Sequence, residues 1–385
     1  MVSLDVMTDH LSSKERVVEC KLHVCEFDFH HDLRWEAFVV SHPQCTIYHH
    51  PAWLRALEHE YGNKVLGLAC LDPRGNVCGV LPLMETRGLP FNCGAQVVGR
   101  RLSSLPRTPV AGPLSLSDEG TKMLLNRAAD LAHEIPGCQL QIKSMSTSLT
   151  GLPEGSTSMA WKEMYVLDLP EHSDDLRFGD RITRHRVKGA ISRALKLGVQ
   201  VRDADSEKDL REWYDLYLET MRWHGSIPRP YRFFSALWNQ LRSSGQMSLL
   251  LAEHHRHHRR TLLSGYMFLT CGKTIHCYLN GRRRDQLGLH PNDILQWRAI
   301  QEACRRGFRR YDFGEVEEGQ EGLIGFKVKW GAKPIRSYRY YYPALQTIPA
   351  FGESQGFVKH MAYKVWRHVP LRGTAAVGNW LYRYL

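Results

Sequence analysis

A carboxylate beside a glycine at the end of a strand, with more carboxylates on the loop that follows, can take a proton from a reacting group. Asp312 stands in YDFG (311–314), and Glu315, Glu317 and Glu318 come directly after. Asp312 is the first candidate for such a base and Glu315 the second; Asp312 could equally tie the turn by accepting main-chain N–H bonds. A second concentration of chemistry is RITRHRVKGAISRALK (181–196), where no acid lies between Asp180 and Asp203. At helical spacing Val187, Ala190, Ile191, Ala194 and Leu195 line one side. Arg181, His185, Arg186, Lys188, Arg193 and Lys196 take the other, with Arg184 in the same run. Such a face either holds phosphates, to which a guanidinium gives paired hydrogen bonds, or is solvated. Arg282, Arg283 and Arg284 form a further basic cluster.

Other arrangements fail on spacing. Gly272-Lys273-Thr274 is not a phosphate-binding loop, because the required upstream glycine falls at Met267. His254 to His258 carry metal-binding side chains at an expected hairpin tip, where solvation is the simpler reading. There is no G-x-S-x-G elbow, and the ten cysteines contain no C-x-x-C pair; they read as reduced thiols, with no metal site expected.

The elements that must position these residues recur in one order. Pro51 starts a short helix that ends at Gly62. Val65 to Cys70 and Val77 to Met84 read as a hairpin around Asp72–Asn76. A helix from Thr121 to Glu134 then leads to a strand, Gln139 to Lys143. In the second stretch Pro230 to Arg242 is helical, with Phe233, Leu237 and Leu241 on one side. Strands Met247 to Ala252, Leu262 to Thr270 and Thr274 to Asn280 precede a helix, Pro291 to Arg306, and a strand, Arg309 to Phe313. The shared order predicts an α+β fold of two duplicated domains, each a mixed sheet with helices on its faces.

Bulk properties agree with a globular protein of more than one core: 385 residues, 43% hydrophobic and 24% charged. The net charge of +11 and a pI near 9.2 favour a polyanionic partner. No apolar run is long enough to span a bilayer and the first twenty residues do not read as a secretory signal, so a cytoplasmic location is expected. The Ser/Thr/Gly/Pro-rich stretch 144–158 is the best linker, giving expected domains 1–158 and 159–345 and a tail, 346–385. From Ser354 onward the tail has no Asp or Glu. Its Lys359, Lys364, Trp366, Arg367, Arg372, Trp380, Tyr382 and Arg383 suit either a peripheral contact with the inner membrane face or a helix packed on the domain.

Several of these motifs resemble the FemAB-like and BioF2-like (CelD-type) acyltransferases of the GNAT superfamily. They are HPAW (50–53), GVLP (79–82), the basic helix 181–199, PNDILQW (291–297), YDFG (311–314), GLIGFKVKWGA (322–332) and the run Tyr338 to Tyr342. The resemblance implies two tandem GNAT-like domains, the first degenerate. It also implies transfer of an acyl or aminoacyl group onto an amine of a phosphorylated or lipid-linked envelope or polysaccharide precursor. The donor would be acyl-CoA or aminoacyl-tRNA, with no tightly bound cofactor; a silent scaffold in envelope biosynthesis is the reading without chemistry. No coiled-coil arm is inserted in the second domain, as it is in some bridge-forming relatives. Lys327 resembles the family lysine near the acceptor phosphates or the reacting carbonyl, which implies an electrostatic role. Arg184, Lys188 and Arg193 would meet substrate phosphates, and Tyr278 and Asn280 would orient the acceptor. Trp297 and Trp330 would wall the pocket or fill the core. The donor loop corresponds to 281–292, where the usual Arg/Gln-x-x-Gly-x-Gly spacing is absent; Gly288 and Asn292 could still form an anion nest before the helix.

Overall fold

The computed structural model describes residues 21–87, 100–256, 259–344 and 366–382. The first stretch contains strand β1 (His23–Glu26), helix α1 (Arg34–Ser41), a 3-10 turn Ile47–His49 and helix α2 (Pro51–Tyr61). Pro51 occupies the first turn of α2, His50 Nδ1 accepts from the Ala52 N–H at 3.2 Å, and Gly62 closes the helix at φ 74°. Strands β2 (Val65–Leu71), β3 (Val77–Thr86), β4 (Arg101–Ser103) and β5 (Leu114–Ser115) follow. Helix α3 (Asp118–Glu134), capped by Ser117 Oγ on the Gly120 N–H at 3.1 Å, then delivers β6 (Gln139–Ser144) parallel to β4.

The second stretch repeats this plan. It is introduced by β7 (Thr157–Asp168), α4 (Arg181–Lys196), β8 (Val199–Asp203) and α5 (Glu207–Trp223). Helix α6 (Tyr231–Leu241) precedes the hairpin β9 (Met247–Arg256) and β10 (Arg259–Cys271), then β11 (Thr274–Arg282). Helix α7 (Pro291–Arg305) crosses over to β12 (Arg310–Val316), which pairs parallel to β11. Helix α8 (Glu321–Val328), strand β13 (Lys333–Tyr342) and helix α9 (Leu371–Leu381) complete the described chain. Helix, antiparallel hairpin, third strand, crossover helix and parallel strand thus occur twice, in the order read from the sequence.

All the described strands join one sheet, ordered β1-β2-β3-β4-β6-β13-β7-β12-β11-β10-β9-β8, with β5 beside β3. The centre of the order matters most. Strand β13 lies between β6 and β7, antiparallel to both, and β7 lies against β12. The expected boundary at residue 158 falls just inside β7, and β13, from beyond that boundary, hydrogen-bonds the first half through Tyr340 opposite Ile142. On one sheet face a single apolar cluster runs through α1, α2, α5 and α6, with Trp53 meeting Phe233 edge-on at 5.3 Å. On the other face α3 packs on the first half and α4 and α7 on the second.

Differences from expectation are local. Leu195 is 59% exposed rather than on the buried side of α4, whose Val187 and Ala194 are buried and whose Ile191 packs against them at the edge of the core. The hairpin ladder continues to Arg256 and Arg259, into the expected polar tip, with His254 paired to Thr261; His257 and His258 lie outside the described residues. So do Lys359, Lys364 and Arg383 of the tail. The described part of the tail packs on the protein: a Cβ at Gly378 would stand 2.5 Å from the Pro228 carbonyl, and Tyr382 is buried. Among the described residues no helix is long and apolar enough to cross a membrane.

Candidate functional site

The parallel pairing of β11 and β12 is short. Thr274, Ile275 and His276 are opposite Arg310, Tyr311 and Asp312, and there the shared register stops. Both strands deform at that point. In β11, Leu279 and Cys277 pair with Met267 and Phe268 of β10, so Tyr278 is left over as a bulge. In β12, Gly314 turns to φ 77°, and the register with β7 shifts between Asp312 and Glu315. The last rung therefore carries two ionisable side chains at the mouth of an opening between strands.

His276 and Asp312 are each 3% exposed. The His276 Nδ1 lies 3.0 Å from Asp312 Oδ2, and Asp312 Oδ1 accepts the Gly314 N–H at 2.7 Å. Both carboxylate oxygens are thus engaged, one holding the turn and one the imidazole. A neutral imidazole that donates Nδ1–H to the carboxylate has its lone pair at Nε2, and Nε2 is buried without a protein partner among the described residues. The Tyr48 ring of the first half lies 5.5 Å from the imidazole.

Two cavities meet at this pair. One, of about 300 Å³, fills the opening between Cys277–Leu279 and Phe313–Glu315, and α5, Arg107, Arg229 and Tyr382 close it. The other, of about 820 Å³, lies against β6 and the first half, with Thr46, His49, Lys143, Ser144 and Arg310 on its walls. His276 and Asp312 line both.

The charges around the smaller cavity are mostly balanced. Glu60 of α2 and Arg229 form a fully buried ion pair that joins the two halves. Burial pushes the Glu60 carboxyl up to about 7 against the opposing pull of Arg229. Arg229 also donates to the Arg107 carbonyl at 2.6 Å, and its guanidinium lies 4.5 Å over the Phe233 ring. Glu315 faces Arg339 at 3.3 Å, and burial holds Arg339 below the usual arginine range. Burial also raises the Tyr48, Tyr217 and Tyr278 phenols, which stay protonated, and takes the Cys277 thiol up to about 11.

The structure gathers some of the sequence candidates and disperses others. Asp312, Glu315 and Tyr278 line the smaller cavity. Lys327 is buried behind it, donating to the carbonyls of Gly314 at 2.8 Å and Glu315 at 3.1 Å, so it holds the deformed stretch of β12. Asn280 sits farther along β11, opposite Tyr266. Trp330 is fully buried and Trp297 half-buried, both against Phe178, and neither lines these two cavities. Arg184 and Lys188 border an open depression on α4, and Arg193 lies in that helix's last turn. Gly288 sits in a 3-10 turn with open space around it, whereas the Asn292 Oδ1 accepts from Ser264 Oγ at 2.9 Å. The first turn of α7 carries its own acid, Asp293, paired with Lys329. Arg282 and Arg284 open instead onto a separate cleft with Arg222 and Arg367, where two guanidiniums stand 3.5 and 3.8 Å from the Trp223 ring centre. Among the described residues no group of His, Cys, Asp and Glu is placed to hold a metal.

Sequence reasoning missed His276, Tyr48, Arg229 and Arg107. His276 alone had a usable signal, since setting TIHCYLN beside RYDFGEV as parallel strands brings it opposite Asp312.

A family model described as an acetyltransferase (GNAT) domain matches residues 181–327. No curated protein matches the chain. Among solved structures, FemX is similar with a TM-score of 0.61 at 16% identity, over 82% of this chain and 96% of that one. A conserved protein of unknown function from Bacteroides thetaiotaomicron gives 0.54 at 11%, over 83% and 99%. L-PGS from Bacillus licheniformis gives 0.50 at 12%, over 82% and 93%. The resemblance to FemAB-like members of the GNAT superfamily holds, and at these identities it holds as a likeness of fold: two tandem GNAT-like units.

Proposed function

We propose that this chain, a tandem GNAT-like fold with its working site in the second unit, is an N-acyltransferase in which His276 is the general base and Asp312 orients it. The observation that carries this reading is the buried His276–Asp312 pair at the last shared rung of two separating parallel strands, with Nε2 left for a substrate. The amine nitrogen attacks the donor carbonyl, the C–N bond forms, and Nε2 takes the amine proton. The bond from carbonyl carbon to donor then breaks, and the leaving group recovers the proton from the imidazolium. Past the His276 rung the facing edges of β11 and β12 are not ladder partners. An amide-bearing thioester arm such as that of coenzyme A can lie between them as an added strand. Lys327 keeps the Gly314–Glu315 carbonyls turned toward itself and so fixes the shape of the opening.

The envelope or polysaccharide precursor is the acceptor class we favour, with residues 1–158 supplying the wall of the larger cavity and 159–345 the chemistry. L-PGS and FemX as structural neighbours fit that class without identifying the acceptor. The arginine cleft around Trp223 favours a second reading, in which the donor is aminoacyl-tRNA; that reading requires binding that weakens steeply with salt. Calorimetry with acetyl-coenzyme A, followed by thiol release with an amine panel, separates the cases. We expect saturable thioester binding, and in His276→Asn the same binding with transfer lowered about 100-fold or more. Transfer unchanged in His276→Asn would end the assignment, and a chain that turns over no donor would be a scaffold.

A further inference from the structure

Surface helices of this chain pair their arginines with acids of their own. Arg127 of α3 meets Glu134 at 3.1 Å, Arg211 of α5 meets Glu207 at 2.7 Å, and Arg305 of α7 meets Glu302 at 2.6 Å. Helix α4 is built otherwise. It holds Arg181, Arg184, Arg186, Lys188, Arg193 and Lys196 but no Asp or Glu, and none of these cations forms an ion pair among the described residues. The acid before its first residue, Asp180, is the N-cap and accepts the Thr183 N–H at 2.6 Å.

Helix α4 rests on α7 and the core edge through Val187, Ile191 and Ala194. At the helical repeat, the side opposite Val187 and Ala194 presents Arg181, Ile182, His185 and Lys196. Arg186 and Arg193 run along one flank, and Lys188 and Leu195 along the other. Two members of this face are large and aliphatic, and neither is sheltered: Ile182 is 62% exposed and Leu195 59%. Leu197, just past the helix, is exposed as well. A concentration of unbalanced cations attracts anions, but aliphatic side chains set among them gain nothing from a hydrated anion. An anionic bilayer satisfies both, because the cations stay with the headgroup phosphates while the aliphatic groups reach the acyl boundary. A nucleic acid suits the face less well. Single-stranded RNA is gripped by stacked aromatic side chains, and α4 carries no Phe, Tyr or Trp.

We propose that α4 is a docking face for an anionic lipid bilayer, with Arg181, Arg186, Arg193 and Lys196 on the headgroups and Ile182 and Leu195 at the acyl boundary. The proposal concerns where the protein sits and does not depend on the transferase reading.

The test is cosedimentation of the full chain with vesicles of phosphatidylcholine, alone or with about one third phosphatidylglycerol, in about 0.1 M salt. The phosphatidylglycerol vesicles should take up the protein about tenfold or more strongly than phosphatidylcholine alone, and about 0.5 M salt should remove most of that preference. Arg181→Gln, Arg186→Gln, Arg193→Gln and Lys196→Gln together should weaken uptake about fiftyfold or more. Removing as many exposed charges elsewhere, in Lys64→Gln, Arg74→Gln, Lys122→Gln and Lys208→Gln, should weaken it by no more than about threefold. Ile182→Ser with Leu195→Ser should weaken it about tenfold at unchanged net charge, a loss that contact with phosphates alone does not give. All the substituted side chains are exposed, and thermal unfolding checks that each variant folds. Equal uptake by both vesicles, a preference that survives the four α4 substitutions, the same loss in the two charge-removal variants, or wild-type uptake after Ile182→Ser with Leu195→Ser would each overturn the docking face. So would binding of bulk tRNA, lost with the α4 charges, by a protein that ignores both vesicles; the face would then be an RNA contact.

Discussion

Lys327 shows how a charged residue can shape a site it does not touch. Its ammonium is bonded by two main-chain carbonyls, and burial pushes its pKa from the usual 10.5 down to about 8. Above pH 8 the folded protein releases this proton while the unfolded chain still holds it. The unfolded state then binds more protons, so this residue's contribution to stability rises with pH between about 8 and 10. The full effect is at most about 3 kcal/mol. Urea unfolding at pH 7.5 and 9.5 should show the wild type gaining roughly 2 kcal/mol relative to Lys327→Met; equal gains would mean that the ammonium is solvated. The neighbourhood of this lysine was legible because a strand-ending Asp-x-Gly and the GFKVKW run are contiguous motifs. The partner of Asp312 went unread, since nothing local marks TIHCYLN and His276 comes opposite Asp312 only once that run is set beside RYDFGEV as a parallel strand.

At the scale of elements, periodicity and turn chemistry place the hairpins, α2, α4 and α7 within a few residues, because Pro51, Gly62 and Pro291 mark helix ends, whereas α3 begins three residues before the expected Thr121, at the Ser117 cap. Helix α5 is absent from the sequence reading although Leu210, Tyr214 and Tyr217 follow one face. It walls the smaller cavity through Tyr217 and Met221, and it can approach β11 only because residue 281 is glycine. A Cβ there would stand 2.5 Å from the Tyr217 nitrogen and 2.7 Å from the Leu216 carbonyl carbon. Since these contacts are backbone, a side chain cannot swing away to relieve them. Gly281→Ala should lift α5, lower stability by about 1–3 kcal/mol and reduce transfer through a raised KM. Thermal unfolding and acceptor kinetics read both, and an unchanged melting temperature would show that the helix yields without cost.

The whole molecule is organised by long-range pairings that no stretch of sequence announces. The repeat order and the 144–158 linker suggest two separable units, but β13 leaves the second stretch to pair with β6 while β7 pairs with β12. The α2–α6 contact carries the core across the same seam, and the Glu60–Arg229 pair lies within it. Separating the halves would expose a row of ladder groups on β6, open the apolar cluster around Trp53 and Phe233, and leave two buried charges without partners. Each cost opposes independent unfolding, so urea denaturation should be a single transition in which far-UV circular dichroism and tryptophan fluorescence coincide. Two resolved transitions would mean that the seam is weak. Glu60→Ala tests the seam from within. It leaves the Arg229 guanidinium buried without its carboxylate, a loss of roughly 3–5 kcal/mol. Glu60→Gln combined with Arg229→Met removes both charges and should restore most of that stability. It should not restore transfer, because Arg229 also holds the Arg107 carbonyl and with it the wall of the cavity. If the double variant were as unstable as Glu60→Ala, the damage would lie in lost packing around α2 rather than in an orphaned charge.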